Sequence, residues 1–341
     1  MNKCKGCCIG CLGALAAVGA VFVGIVALLW SGAAAVGMGF GEGDASPGCS
    51  ELEKPRKKVW VCGRGDESSP QVLRVKISGI ISDAQEDFFG IEKSSATAAL
   101  RKIRSAARDD SIRGLYLVLD TPGGEVTLSD VIADAVQKFK KSGKDRFVLA
   151  EMGALCCSGG YYIAAGADYV VAHPTTVTGS IGVLMSTVNA AELAKKIGVE
   201  SVVIATGANK AMLDPLKPVD QEHVRIFRKA VEADYERFLA VVAKGRGLPV
   251  GEVRQVADGR ILCAEEAKKL RLIDAIGYSE DSEAQLAKMA GAEAVRVVRY
   301  KDEYTWRDLF DDSILGSRGM GRALRAAAAR GRPAGLNFSA E

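Results

Sequence analysis

The sequence predicts an α/β domain with a mostly parallel sheet and flanking helices, preceded by one N-terminal transmembrane helix. Two observations predict the domain: short β-branched runs alternate with helical stretches downstream of Val72, and a Gly-Gly turn follows two of these runs. The third observation is an uncharged apolar run from Ile9 to Trp30. With 341 residues and 48% hydrophobic content, the chain can bury a large core.

The alternation sets the predicted order of the elements. Strands are predicted for the runs "VLRVKI" (72–77), "LYLVLD" (115–120), "FVLAEM" (147–152), "DYVVA" (168–172) and "ESVVIA" (200–205). Helices are predicted over 92–108, 127–142, 158–167, 219–245, 249–258 and 264–272. Helices between consecutive strands imply right-handed crossovers, and the later helices should pack around that core.

The chain divides into five predicted parts. These are a cytoplasmic N-terminus (1–8), a transmembrane anchor (9–30), a Gly-, Ser-, Ala- and Pro-rich linker (31–70), the folded domain (71–300) and a tail (301–341). At about 1.5 Å per residue, the apolar run is long enough for a hydrocarbon core of roughly 30 Å. Lys3 and Lys5 precede it, so the positive-inside rule places the N-terminus in the cytoplasm and the domain outside.

Several features near the two ends of the chain allow more than one interpretation. The apolar run could instead be a cleaved signal peptide, since "WSGAAA" offers small residues, although its length favours an anchor. Cys4, Cys7, Cys8 and Cys11 could hold zinc, but thiols or lipidation sites fit better because no loop separates the pairs. A disulfide between Cys49 and Cys62 is possible outside the cytoplasm. The Ala- and Arg-rich tail is either a mobile terminus or a helix on anionic lipid.

The charge balance and histidine content exclude some functions. The 45 basic and 42 acidic residues give a net charge of +3 without a long block of one sign, so we expect no nucleic-acid partner. We also predict no cofactor. The chain has only two histidines, His173 and His223, so a catalytic triad based on histidine has few candidates.

Two Gly-rich turns mark the predicted site, because ligands of such sheets bind beyond the carboxyl ends of the strands. "LDTPGGEV" follows the strand at 115–120, and "CCSGGYY" follows the strand at 147–152 and opens a helix. A serine at a strand-turn-helix bend exposes its hydroxyl among unpaired backbone N–H groups, as in a nucleophile elbow. Ser158 could otherwise be a helix N-cap. Cys157 is an alternative nucleophile, although the simpler interpretation is that Cys156 and Cys157 are packing residues.

Five motifs along the chain resemble the signal peptide peptidase A family, which consists of membrane-anchored serine proteases with a ClpP/crotonase-like fold. They are "VKISGII", "LDTPGGEV", "SGGYYIAAGAD", "PTTVTGSIGV" and "TGANKAMLDPLKPVD", the last followed by a helix and "ADGRILCAEEAKKLRLIDAIG". The resemblance covers Val72 to Tyr278. It implies Ser158 as nucleophile, Lys210 as general base and Ser180 as a serine that hydrogen-bonds the lysine. The implied backbone donors to the oxyanion are Gly124, with Gly123 close by, and Gly159.

The resemblance also implies substrate, location and assembly. We expect peptide substrates, such as remnant signal peptides, and a single-pass position in the inner membrane with the catalytic domain on the extracytoplasmic side. One copy of each motif matches the short form of the family, which closes into a homo-oligomeric ring. A lysine can act as base only if loss of solvation favours its neutral form. Two alternatives are a crotonase-type acyl-CoA enzyme and a catalytically silent membrane scaffold.

Overall fold

The computed structural model describes residues 58–83 and 95–300, which form one mixed α/β domain. Within them, one sheet has the strand order β1-β9-β2-β3-β4-β5-β8, and β6 and β7 extend it from β4. The strands are β1 (Lys58–Cys62), β2 (Gln71–Ser78), β3 (Ile112–Thr121), β4 (Phe147–Cys157), β5 (Tyr169–Ala172), β6 (Val177–Gly179), β7 (Ile261–Cys263), β8 (Ala275–Ile276) and β9 (Arg296–Tyr300).

The sheet is mostly parallel, as predicted. β2, β3, β4, β5 and β8 run in one direction, whereas β1 pairs antiparallel with β9, and β7 pairs antiparallel with β6. The strand at 58–62 lies in a stretch that we predicted to be linker through residue 70. Its only strand partner in the described sheet, β9, comes more than two hundred residues later, so local sequence pattern could not reveal the pairing.

Each of the six predicted helices has a counterpart in the structure. The helices of the described residues are α1 (Ser95–Ala106), α2 (Val126–Lys141), α3 (Gly159–Ala164), α4 (Ala191–Ile197), α5 (Gln221–Arg246), α6 (Val250–Val256), α7 (Ala264–Lys269) and α8 (Ser279–Ala290). α4 and α8 were not predicted. Buried faces of α1, α2, α3 and α5 join the central strands in one core that includes Leu117, Ile132 and Leu239. This core covers β3 and β4, the strands that lead into the two Gly-rich turns.

The predicted strand at 200–205 is wrong. These residues have no regular structure and lie in an exposed segment, 182–220, which we call the arm. Val202 is 81% exposed and Ile204 is 97% exposed, so the run has apolar side chains but no sheet neighbour in the described chain. A short β-branched run predicts a strand only if another strand is within reach to pair with it.

Several predicted features lie outside the described residues. These are the transmembrane run at 9–30, the N-terminal cysteines, Cys49, most of the linker and the tail at 301–341. In the described ranges 58–83 and 95–300, none of the helices has the length and apolar character needed to span a bilayer.

The packing of α5 on α3 depends on a glycine near the end of α5. A Cβ added at Gly245 would overlap the carbonyl oxygen of Ala165, just after α3. The rings of Tyr162 in α3 and Phe238 in α5 pack against each other in a tilted arrangement with centroids 5.0 Å apart, so the two helices are in close contact along this face.

We therefore predict that Gly245→Ala lowers the free energy of unfolding by about 1–3 kcal/mol, because overpacking forces the helices apart. The matched control is Gly251→Ala in α6, where an added Cβ meets no atom within 4 Å. Urea unfolding of the full chain measures both. An unfolding free energy for Gly245→Ala equal to or above that of Gly251→Ala would contradict the close packing.

Candidate active site

Ser158 lies at a sharp bend between β4 and α3. Its backbone has φ 50° and ψ −119°, a left-handed conformation that is costly for a residue with a side chain. Two hydrogen bonds hold the bend: the Ser158 N–H donates to the Gly179 carbonyl at 2.9 Å, and the Ser158 carbonyl accepts from the Tyr162 N–H at 2.8 Å. The side chain is half-buried. This is the geometry of a nucleophile elbow.

The turn after β3 packs directly against this elbow. A Cβ added at Gly123 would lie 2.7 Å from the Ser158 Cβ and 2.8 Å from the Gly159 nitrogen. A Cβ at Gly124 would overlap the Ile81 carbonyl oxygen. The φ angles are +101° at Gly123 and +157° at Gly124, which also disfavour side chains. Both glycines are therefore required for the turn to reach Ser158.

Two backbone N–H groups beside Ser158 are unpaired. In the described part of the chain, neither the Gly124 N–H nor the Gly159 N–H donates a hydrogen bond to the protein. The Gly123 N–H is already used, because it donates to Thr121 Oγ1 at 3.0 Å. Of the three predicted oxyanion donors, Gly124 and Gly159 are therefore the two whose N–H groups have no protein partner in the described part of the chain.

Ser180 is brought next to Ser158 by strand pairing. In the parallel pair of β4 and β6, Cys157 lies opposite Gly179. Ser158 and Ser180 are the next residues after this pair, so they leave the two strands side by side. Ser180 also has a positive φ of 49°. Its N–H donates to the Arg260 carbonyl at 2.7 Å. The backbone around Ser180 is therefore held from the strand side and from the loop before β7.

The loop before β7 is fixed by an ion pair at the surface. The Nε and one terminal nitrogen of the Arg260 guanidinium donate to the Asp258 carboxylate, at 2.7 Å and 2.5 Å. This hydrogen bonding from Arg260 lowers the pKa of the Asp258 carboxyl to about 2. Because the Gly259 N–H donates to the Ile181 carbonyl at 3.1 Å, the loop continues the ladder that holds Ser180.

The two cysteines before Ser158 are packing residues in this structure. Cys156 is fully buried and Cys157 is 5% exposed. The Cys157 Sγ donates to the Val177 carbonyl at 3.6 Å. Burial raises the pKa of both thiols, which disfavours the thiolate that a cysteine nucleophile needs.

Lys210 is not brought to Ser158 within a single chain. It lies in an exposed turn of the arm, where its backbone N–H donates to the Gly207 carbonyl at 3.1 Å. Among the described residues, its Nζ has no hydrogen bond or ion pair, and the same is true of the Ser158 Oγ.

Sequence reasoning missed the residues that hold the site together. Thr121, which lies within the motif "LDTPGGEV", was not among the predicted site residues, and neither were Ile81 and Asp258. Ile81 clamps the turn, since its N–H donates to the Gly123 carbonyl at 2.9 Å and its carbonyl accepts from the Glu125 N–H at 2.8 Å. The motif "SGII" contained the signal, because an apolar residue that proves to be buried, Ile81, lies three residues after the end of β2.

Comparison with known proteins places the chain in a family. The model of peptidase family S49 matches residues 138–293. A protein of Enterococcus faecium named putative signal peptide peptidase SppA is 34% identical over 252 residues, which cover 74% of this chain and 72% of that protein. The chain belongs to peptidase family S49. The matched range contains Ser158, Ser180 and Lys210.

Two other similar proteins are longer than the matched region. Protease 4 of Salmonella typhi is 33% identical over 243 residues, 70% of this chain and 38% of that protein. The chloroplastic serine protease SPPA of Arabidopsis thaliana is 33% identical over 186 residues, 53% of this chain and 27% of that protein. Family S49 membership and these relatives support a serine peptidase, and hence peptide substrates, for this chain.

The elbow and the buried thiols generate one prediction for this S49 member. Ser158→Ala should reduce peptide hydrolysis by about a thousandfold or more, because the attacking oxygen is lost. Cys157→Ala, its neighbour on the same bend, should keep most of the activity, because its thiol only packs and donates to a carbonyl. Initial rates on an apolar peptide measure both, with circular dichroism as the control for folding. Near-normal peptide hydrolysis by Ser158→Ala would contradict the assignment of Ser158 as the nucleophile.

Proposed function

We propose that the protein is a membrane-anchored serine endopeptidase that uses Ser158 as nucleophile and Lys210 as general base. The observation that carries the proposal is the left-handed elbow at Ser158 beside two unpaired N–H groups. S49 membership argues against a crotonase-type acyl-CoA enzyme. A silent scaffold would have no need of a strained serine at this position.

The geometry supports an acyl-transfer mechanism. The Ser158 Oγ attacks the peptide carbonyl carbon while its proton passes to the neutral amine of Lys210, and the carbonyl oxygen becomes negative. The N–H groups of Gly159 and Gly124 are the donors for that oxygen, and each such donor contributes roughly 3 kcal/mol of barrier lowering. The protonated lysine then gives the proton to the leaving amine. Water next attacks the acyl-enzyme while the neutral lysine takes a proton from it, and the lysine returns that proton to the leaving Ser158 oxygen, which releases the acid. Ser180 is the proposed hydrogen-bond partner of the Lys210 amine.

We propose that the lysine comes from a second copy of the chain. Lys210 is exposed in the single chain, and the arm that carries it also exposes apolar side chains that a stable monomer would bury. The most exposed of them are Leu184, Val188, Val202 and Ile204, all more than 80% exposed. A neighbouring subunit on this surface would cover these side chains and remove water from the amine, which favours its neutral form.

The arm is built to hold its turn in a defined place. The Asn189 side chain donates to the Lys217 carbonyl at 2.7 Å, and the Ser201 hydroxyl donates to Asp214 at 2.6 Å. These bonds join the two sides of the arm around Lys210. A head-to-tail contact of this kind closes into a homo-oligomeric ring when its rotation permits, so every subunit would give one serine and receive one lysine.

We propose remnant signal peptides and other unfolded apolar peptides as substrates. The relative from Enterococcus faecium is named a putative signal peptide peptidase, and the apolar run at 9–30 would hold the domain at the membrane that releases such peptides. The proposed location is the inner membrane, with a cytoplasmic N-terminus and an extracytoplasmic domain. A ring would admit loose peptides and exclude folded proteins by size.

Subunit mixing tests the shared site. Ser158→Ala and Lys210→Ala are each expected to be inactive, but oligomers reassembled from equal amounts of both should recover about a quarter of wild-type hydrolysis, because half of the serines are intact and half of these meet an intact lysine. Lys217→Ala, another exposed lysine of the arm, is the matched control and should stay active alone.

A second control is Ser158→Ala mixed with the Ser158→Ala/Lys210→Ala double variant, which should stay inactive. Native mass spectrometry verifies that the oligomers are mixed. Persistent inactivity of verified mixed oligomers would contradict the sharing of Ser158 and Lys210 between subunits.

A further inference from the structure

Thr121 is the last residue of β3 and lies between the two halves of the candidate site. It is fully buried and pairs with Cys156, two residues before Ser158. Its methyl group packs against α3, because a Cβ added at Gly160 would lie 2.6 Å from Thr121 Cγ2. Its hydroxyl faces the other half, where Oγ1 accepts from the Gly123 N–H at 3.0 Å.

The hydrogen bonds of the turn determine which N–H remains free. The Gly123 N–H is held by Thr121, and the Gly123 carbonyl is held by the Ile81 N–H. In a trans peptide the carbonyl and the following N–H point in opposite directions, so the Gly124 N–H points away from Ile81. Both peptide groups of Gly123 are therefore fixed. Without the bond to Thr121 Oγ1, no hydrogen bond would hold the Gly123 N–H, so nothing polar would restrain rotation about the φ angle of Gly123 from that side.

We propose that Thr121 is a positioning residue for the oxyanion site, an inference that rests on the proposed role of Ser158. Its Oγ1 occupies the Gly123 N–H and thereby presents the Gly124 N–H as the donor of this turn. Its methyl group packs against Gly160 of α3. Thr121 does not touch the substrate and acts only through the two glycines.

The two functions of the side chain can be separated by substitution. Thr121→Val keeps the branched shape and removes Oγ1, whereas Thr121→Ser keeps Oγ1 and removes the methyl group. Because the lost restraint affects a donor used in the transition state, Thr121→Val should lower kcat about tenfold to a hundredfold with little change in KM. Inhibition by a peptide boronate, which forms a tetrahedral adduct, should weaken by a similar factor. Thr121→Ser should recover most of kcat.

The experiment measures kcat, KM and boronate inhibition of the full-length wild type, both Thr121 variants and Ser158→Ala, with thermal unfolding of each. A folded Thr121→Val with kcat within about twofold of wild type would overturn the positioning role while Ser158→Ala, if inactive, leaves the proposed function intact. Equal loss in Thr121→Ser and Thr121→Val would also overturn it, because packing alone would then explain the effect. Full hydrolysis by Ser158→Ala would remove the proposed function and this inference together.

Discussion

The site depends on the close approach of two backbone turns that only glycine permits. β3 and β4 are adjacent parallel strands, so the turns after them leave the sheet side by side. At Gly123 a single added carbon would lie 2.7 Å from the Ser158 Cβ. That distance is too short for two carbons without a shift of backbone, so the absence of a side chain there keeps the oxyanion turn within reach of the serine.

The remaining features of the site follow from this approach. An irregularity in the pairing of β3 with β4, between Leu119 and Thr121, gives β4 extra residues before Cys156. The last residues of β4 then pair with β6, which brings Ser180 beside Ser158. The strained, left-handed backbone of Ser158 and Ser180 is held by hydrogen bonds that their N–H groups donate to the Gly179 and Arg260 carbonyls, and by the apolar core beneath them. The sheet thus sets the position of the serines, and the glycines set the position of the donors.

The sequence predicted the parts of this arrangement that have a local signal. The strands before both turns, the helices between them and the elbow at Ser158 could be inferred from β-branched runs and Gly-Gly pairs. Pairing between β1 and β9 could not, because it joins residues far apart in the chain. The hydrogen bond that the Gly123 N–H donates to Thr121 Oγ1 could not be predicted either, since it depends on the rotamer of the Thr121 side chain and not on residue type alone. The exposed run at 200–205 is β-branched and apolar and so has the local pattern of a strand, but no strand of the described chain pairs with it.

Active-site labelling of the full-length protein tests the central claim most directly, because it identifies the nucleophile without assuming a natural substrate. The protein would be treated with a fluorophosphonate probe, digested and mapped by mass spectrometry. The elbow geometry predicts one major adduct, on Ser158, which is half-buried and lies in a strained conformation beside the unpaired N–H groups of Gly124 and Gly159. An adduct on Ser180 or on another residue, with Ser158 unmodified, would contradict the account.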